Sequence, residues 1–276
     1  MSGIKKELSS KISVCVFQWN IKNNSWDENR NKFEELLDKS QKFHPDLILL
    51  PEMWSCGFCG SRLAAEAELF NERVDCCAFL AKKYNTWIAA GSIPETSSEK
   101  SSGKVFNTLP LISAEGKLMY KFRKMHLFVN STEPEYFLPG ESIPEPFSTG
   151  SWKIGAGICF DLRFPEVFRI QMLAEANLFL LPAQFPDPRL DHFSLLSASR
   201  ALENQSYMIA GNRTGEDGRL TFSGGSQVNT PEGKTIAIAA KTDEIINCTI
   251  DYDFLNDHRS KFPFRKLSDA ISQEQK

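Results

Sequence analysis

No stretch of this sequence approaches the roughly 18 consecutive apolar residues that a membrane-spanning helix requires, so no transmembrane segment is expected. The opening residues Met1-Ser-Gly-Ile-Lys-Lys-Glu-Leu8 lack an apolar segment of the signal-peptide kind, and a cytoplasmic location is expected. Neither sign of charge dominates. Against 32 Lys and Arg stand 35 Asp and Glu, a formal net charge of −3, which gives no reason to expect nucleic acid or an anionic membrane as a partner. Seven cysteines, an odd number in 276 residues, fit reduced thiols better than a disulfide framework. Internal repeats and interdomain linkers are also missing. What remains is 41% hydrophobic and 24% charged, the composition of an ordinary soluble globular protein with room for a sizeable core.

Cys56-Gly-Phe-Cys59 has C-x-x-C spacing. Structural zinc usually takes a second pair, and the adjacent Cys76-Cys77 makes a poor chelate. A thioredoxin-like pair usually opens a helix after a strand, whereas here Glu52 already takes the strand end. Neither metal nor redox use is therefore expected of this pair.

Ile12–Trp19 reads as a buried first strand. Ser25-Trp-Asp-Glu28 has the capping-box pattern and opens a helix to about Phe43, with Phe33, Leu36, Leu37 and Phe43 on one face. Leu47–Leu50 is a second strand running into Pro51-Glu52. Residues 62–84 form one amphipathic helix, with Leu69, Phe70, Val74, Cys77, Leu80, Ala81 and Tyr84 towards a sheet. Trp87–Ile93 is a third strand, 94–104 a polar loop, and Val105–Ser113 with Lys117–Phe122 a hairpin. Residues 123–150 form a long irregular connection, of a length usually functional or disordered.

Trp152–Ile158 is the next strand, followed by a helix over about 165–176, a strand at Leu178–Leu181, a helix at about 191–204 and a strand at Tyr207–Ala210. Strands at Gly225–Thr230, Thr235–Ala240 and Ile245–Asp251 close the pattern. From Phe254 the chain is polar, and an arm reaching over a neighbour is expected. The alternation predicts an α/β domain of two packed sheets with helices outside, a single domain over 1–276 with its core at about 12–253 and an arm at 254–276.

Three ionisable groups fall where strands run out. Cys159 sits at the turn leaving a strand, with Pro165 suited to the first turn of the next helix. Open α/β sheets place their ligand crevices at that end, and a following helix N-terminus would favour the thiolate. Glu52 ends the apolar run Leu47-Ile-Leu-Leu-Pro51, where an unpaired charge is costly. Lys124 lies just past a hairpin strand. Cysteine, carboxylate and ammonium cover nucleophile, base and oxyanion stabiliser for acyl transfer. His192 and His126 are rival partners for the thiol, and packing or hydrogen-bonding roles are favoured for both.

Leu50-Pro-Glu-Met-Trp54, Phe122-Arg-Lys-Met-His-Leu-Phe128 and Gly157-Ile-Cys-Phe-Asp-Leu-Arg-Phe-Pro-Glu166 resemble the three motifs of the nitrilase (carbon–nitrogen hydrolase) superfamily. Arg200-Ala-Leu-Glu-Asn-Gln-Ser-Tyr207 resembles its R-A-x-E-N-Q-x-Y helix end. The likeness runs in the family's order from about residue 12 to 253. It implies a four-layer α-β-β-α sandwich, a homodimer or larger assembly, and no metal or organic cofactor. It also implies Glu52 as general base, Lys124 as stabiliser of the tetrahedral intermediate and Cys159 as nucleophile. Many members add a second glutamate about seven residues before a glycine. Glu133 stands at that spacing from Gly140, and Glu135 is the alternative.

The Cys159-Phe-Asp-Leu-Arg-Phe-Pro-Glu166 stretch and the length resemble the omega-amidase branch, which releases ammonia from short dicarboxylic monoamides such as 2-oxoglutaramate and succinamate. The small-molecule amide and water would then be the partners. Alternatives are a deaminated glutathione amidase, another amidase or nitrilase of the family, or a catalytically silent binding protein on the same fold. The remote carboxylate of such a substrate needs a cation. Arg163 is placed to read it bidentately, or else to brace the turn by pairing with Asp161 or Glu166. Phe160 and His192 join it as substrate-binding candidates, with Arg189 and Arg213 in reserve.

Overall fold

The computed structural model describes residues 7–97, 103–218 and 220–264. In chain order the elements are β1 (Lys11–Gln18), α1 (Trp26–Ser40), β2 (Leu47–Leu49), α2 (Leu63–Glu68), α3 (Phe70–Tyr84), β3 (Trp87–Ala89), β4 (Ile93–Thr96), β5 (Val105–Ile112) and β6 (Leu118–Arg123). There follow α4 (Glu133–Tyr136), β7 (Phe137–Leu138), β8 (Phe147–Thr149), β9 (Trp152–Ala156), α5 (Pro165–Leu173), β10 (Leu178–Pro182) and α6 (Leu190–Asn204). The chain closes with β11 (Tyr207–Gly211), β12 (Thr214–Asp217), β13 (Leu220–Ser223), β14 (Gln227–Asn229), β15 (Thr235–Ile238), β16 (Glu244–Asp251) and α7 (Tyr252–Lys261).

Two sheets carry the fold. The first runs β16-β1-β2-β3-β5-β4, with β6 and β7 also paired to β5, and the second runs β15-β14-β11-β10-β9-β8. Each has a parallel trio at its centre, β1-β2-β3 in one and β9-β10-β11 in the other. Strand alternation sorts the side chains into layers. Val14 and Val16 of β1 point into the core between the sheets with Leu180 and Ile209, whereas Cys15 and Phe17 face the helices α1 and α3. Phe33 of α1 is fully buried and packs on Phe17 and Trp54, at ring distances of 6.3 and 5.1 Å. Burying a side chain of that size stabilises by about 1.5–3 kcal/mol. On the far side α5 and α6 cover the second sheet through Val167, Phe168, Met172, Phe193 and Ala201. The four layers are helix, sheet, sheet, helix, as expected.

Local departures from the sequence reading have physical causes. Ser25 does not cap α1 by accepting a backbone N–H; its hydroxyl donates to the Glu28 carboxylate at 2.6 Å, a charge-assisted bond stronger than a neutral one. The helix expected over 62–84 is broken at Leu69. Its two halves serve different cores: Leu63 and Ala67 pack with Met53, Cys56 and Phe137, while Phe70, Val74, Cys77 and Leu80 cover the first sheet. The strand expected over Trp87–Ile93 stops at Ala89, because Gly91 turns at φ +54 with its Cα against Pro51. A Cβ there would stand 1.9 Å from the Pro51 carbonyl oxygen.

The connection 123–150 contains α4, β7 and β8. A hairpin of β12 and β13 was not anticipated, although Asp217-Gly218 is the turn signal that marks it. The segment expected to reach over a neighbour begins as α7, docked on its own chain. Leu255 is buried there, and Arg259 donates to the carbonyls of Gln205 and Ala176 at 2.8 and 3.1 Å. The expected arm beyond residue 264 lies outside the described residues. Among the described residues no helix is long and apolar enough to cross a membrane.

Candidate active site

The parallel strands of both sheets end on one crevice. Glu52 comes two residues after Leu50, which follows β2; Cys159 follows β9; Gln184 follows β10. Lys124 is delivered by the end of β6, and its backbone is pinned on both sides: its N–H donates to Asn107 O at 2.9 Å and its carbonyl accepts from Gly140 N at 2.8 Å.

The Lys124 ammonium has no solvent exposure. It donates to Glu52 Oε1 at 3.0 Å and to Glu133 Oε1 at 2.9 Å. Glu52, equally buried, accepts further bonds on Oε1 from Asn107 Nδ2 at 2.9 Å and on Oε2 from the backbone N–H of Gln184 at 2.9 Å. Glu133 Oε2 accepts from Phe128 N at 3.0 Å. Of the two glutamates left open by the sequence, Glu133 enters the cluster, and Glu135 is exposed. The Cys159 thiol lies beside the Glu52 carboxyl and the Gln184 backbone, close enough for both to act on its proton.

Burial opposes the charge on Glu52, and its carboxyl is raised above the ordinary 4.5 despite the pull of Lys124. Burial also works against the Lys124 ammonium, but Glu52, Glu133 and Cys159 outweigh it and hold the group above the usual lysine range. The Cys159 thiol is pushed well above its ordinary value, first by burial and then by the Glu52 and Glu133 charges, which exceed the help of Lys124. The expected helix-terminus effect on the thiolate is thus overridden. Cys159 opens a 3₁₀ turn, Cys159–Arg163, and α5 begins only at Pro165. The nucleophile candidate rests as a thiol beside an acceptor for its proton.

Asp161 holds this turn against the strand of Lys124. Fully buried, it accepts from Ile158 N at 3.0 Å, Met125 N at 3.3 Å and His126 N at 2.8 Å, while His126 Nδ1 lies 2.9 Å away. His126 stacks on Phe164 with centroids 3.6 Å apart. Asp161 is therefore engaged elsewhere, and Arg163 does not brace the turn through it. Arg163 instead lines a narrow pocket over Cys159, with Phe128, Phe160, Phe185, Pro186 and Arg189. The pocket encloses about 40 Å³, little more than one water's share of the liquid, ~30 Å³. His192 is exposed and reaches the site only through Arg163 Nη2, at 3.1 Å. Arg213, a reserve candidate, is buried away from the pocket. It donates to Gln184 Oε1 at 3.0 Å and Ile21 O at 2.7 Å, and burial pushes it down to about 10. A wider groove of about 720 Å³, beside Trp152, Lys153, Tyr252 and Arg259, holds none of the clustered residues.

Asn107, Gln184 and Asp161 were not read from the sequence as parts of the cluster. Asp161 stood inside a quoted motif. Asn107 lies mid-strand and Gln184 on a loop, with no local signal.

Two packed sheets between helices, with a buried Glu–Lys–Cys cluster at their shared end, define an α-β-β-α sandwich of the nitrilase type. The carbon–nitrogen hydrolase family model matches residues 13–259, and the chain belongs to that family of enzymes. The chain is 31% identical over 254 residues to a 2-oxoglutaramate amidase of Bacillus subtilis, covering 92% of this chain and 96% of that protein. It is 30% identical over 263 residues to the omega-amidase NIT2 of Xenopus tropicalis, covering 90% and 93%. Among solved structures, Nit3 of Saccharomyces cerevisiae superposes with a TM-score of 0.82 at 29% identity, over 93% and 96% of the two chains. A carbon–nitrogen hydrolase from Helicobacter pylori gives 0.86 at 25% identity, over 93% and 94%.

Cys159 takes a positive φ of 48°, a region costly for any side chain with a Cβ. Glycine is free of that cost. Cys159→Gly is accordingly expected to be more stable than Cys159→Ala by about 1 kcal/mol, measured by denaturant unfolding. Equal stabilities would show that the backbone there is not strained.

Proposed function

We propose that this enzyme is an omega-amidase: it cleaves the side-chain amide of short dicarboxylic monoamides through a thioester on Cys159. The observation that carries the chemistry is the buried Glu52 carboxylate beside the Cys159 thiol, sharing the Lys124 ammonium with Glu133. Glu52 takes the thiol proton as Sγ attacks the amide carbon. Lys124 stabilises the oxyanion that forms. Collapse of the tetrahedral intermediate breaks the C–N bond, and the proton held by Glu52 passes to the leaving nitrogen, which departs as ammonia. Water then gives a proton to Glu52 and its oxygen attacks the thioester. The carboxylic acid leaves and the thiol is restored. Glu133 keeps Lys124 aimed at the developing charge.

The pocket supports the substrate class. Its walls are aromatic and narrow, which suits a slim unbranched acyl chain. Two half-buried guanidinium groups rim it: Arg163 lies 5.6 Å from the Phe185 ring, and Arg189 lies 4.9 Å from the Phe128 ring. Either fork can hold the remote carboxylate of a monoamide. The names of the amidase relatives agree with this reading.

Ammonia release from succinamate, 2-oxoglutaramate, deaminated glutathione and simple nitriles tests the assignment, and Cys159→Ala is expected to be inactive on all. The acid limb of kcat/KM belongs to Glu52. Below its raised pKa the base is protonated and cannot accept the thiol proton, so the rate rises with pH through a value above 4.5. Glu52→Gln should lower kcat on the order of 10²-fold and abolish that limb. A limb that survives the substitution, or activity in Cys159→Ala, refutes the mechanism.

Arg163→Met should raise KM steeply for succinamate while hardly changing an uncharged amide of equal length. An equal loss on both would make Arg163 a structural residue.

A two-fold dimer accompanies this reading. Ile170 and Leu173 on α5, and Leu195 and Leu202 on α6, are 52%, 37%, 67% and 53% exposed, apolar surface of the kind that marks an interface. Sedimentation should give twice the chain mass of 31.2 kDa. A concentration-independent active monomer would refute it.

A further inference from the structure

Cys56 and Cys59 take no part in the amide chemistry, yet the fold brings them together beside it. Residues 53–59 form a tight turn directly after Glu52. Met53 O accepts from Cys56 N at 3.3 Å and from Gly57 N at 2.7 Å, and Cys59 N donates to Gly57 O at 3.1 Å. Met53 at φ 49 and Gly57 at φ 66 reverse the chain. Both cysteines are free thiols within one apolar cluster that includes Met53, Leu63 and Phe137, and the Cys56 thiol donates to Gly57 O at 3.3 Å. They are unequal. Cys56 is fully buried, while Cys59 is half-buried.

The sequence objection to such a pair was that Glu52 already takes the strand end, and Glu52 does stand there. A helix nevertheless follows the pair: Cys59 stands immediately before the 3₁₀ turn Gly60–Arg62, which continues into α2. Phe58, between the two cysteines, has its ring 6.0 Å from Lys124 Nζ and 5.9 Å from the Phe137 ring. Phe137 directly follows the short helix that carries Glu133. Anything that reshapes the 56–59 turn therefore moves a wall of the Lys124 site.

We propose that Cys56 and Cys59 form a reversible disulfide, made by exchange with a low-molecular-weight disulfide such as oxidised glutathione, which lowers turnover by displacing Phe58 from Lys124. In the first step the Cys59 thiolate attacks one glutathione sulfur, breaking that S–S bond and releasing one glutathione thiolate. Cys56 then loses its proton to solvent and attacks the Cys59 sulfur, closing the protein disulfide and expelling the second glutathione. Two protein thiols are oxidised, and one glutathione disulfide is reduced to two thiols. The order of attack follows from the pair itself. The neighbouring Cys56 thiol holds Cys59 below the ordinary thiol range, while Cys59 and burial push Cys56 well above it. The half-buried, more acidic thiol meets the oxidant and the buried one resolves it. The effect on turnover rests on the role given to Lys124 above; formation of the disulfide does not.

Treating the full-length enzyme with oxidised glutathione, then measuring ammonia release and mapping non-reduced peptides by mass spectrometry, tests this. A Cys56–Cys59 cross-link is expected, with turnover falling on the order of 10²-fold, the cost of a small misplacement at a catalytic site, and returning with dithiothreitol. Cys59→Ser and Cys56→Ser should begin with wild-type activity and keep it under the same treatment. Oxidised wild-type enzyme without the cross-link, or with the cross-link and unchanged turnover, overturns the proposal. So does an equal loss in both serine variants, which would place the oxidation on Cys159. The catalytic reading fails separately, through activity in Cys159→Ala, with no oxidant present.

Discussion

An ammonium ion held where no water reaches it organises this molecule. Lys124 is completely buried, and its charge is carried by two carboxylates at 3.0 and 2.9 Å. A lone charge in that position would be very costly, and a buried pair is tolerable only when its remaining donors and acceptors are satisfied. Meeting that condition draws on distant parts of the chain: Glu52 from the first sheet, Gln184 from the second, Asn107 from β5 and Glu133 from the connection after β6. The crevice between the sheets is closed by these bonds, so the site and the junction of the two halves are the same structure.

The same cluster sets the resting state of the Cys159 thiol. With Glu52 and Glu133 ionised and only Lys124 opposing them, a thiolate at Cys159 would add negative charge to a buried site that already has an excess. The proton therefore stays on sulfur until a carboxylate beside it can take it, which leaves the net charge of the cluster unchanged. The left-handed backbone at Cys159 is held by the bonds that Asp161 makes to the amides of Ile158, Met125 and His126. Strain of about 1–3 kcal/mol at one residue persists because the surrounding network fixes it.

Around this centre the walls are specialised. Phe58 and Phe137 back the Lys124 side, and Phe128, Phe160 and Phe185 line the opening over Cys159, between Arg163 and Arg189. Aromatic surface lowers the local dielectric, which strengthens every charge interaction inside. It also makes the geometry sensitive to small shifts of the turn at 53–59, which directly follows Glu52.

Local pattern was enough for much of this. Apolar runs such as Leu178–Pro182 can only be buried strands, and the periodic faces of α1 and α6 can only be covering helices, so the layered class and the strand-end positions of Glu52 and Cys159 were legible in the sequence. So were Lys124 and the spacing of Glu133, through short motifs whose order the chain preserves. Tertiary structure decided whatever depends on partners far apart in the chain. It chose Glu133 over Glu135, turned Arg163 to the pocket because Asp161 was already bound to His126 and the Met125 amide, and buried Arg213 behind Gln184. It broke the 62–84 helix because its halves face different cores, and it set Cys56 and Cys59 in one apolar cluster beside Met53 and Phe137. Propensity and periodicity act within a few residues, whereas hydrogen-bond satisfaction in a buried site is settled only when the whole chain has closed around it.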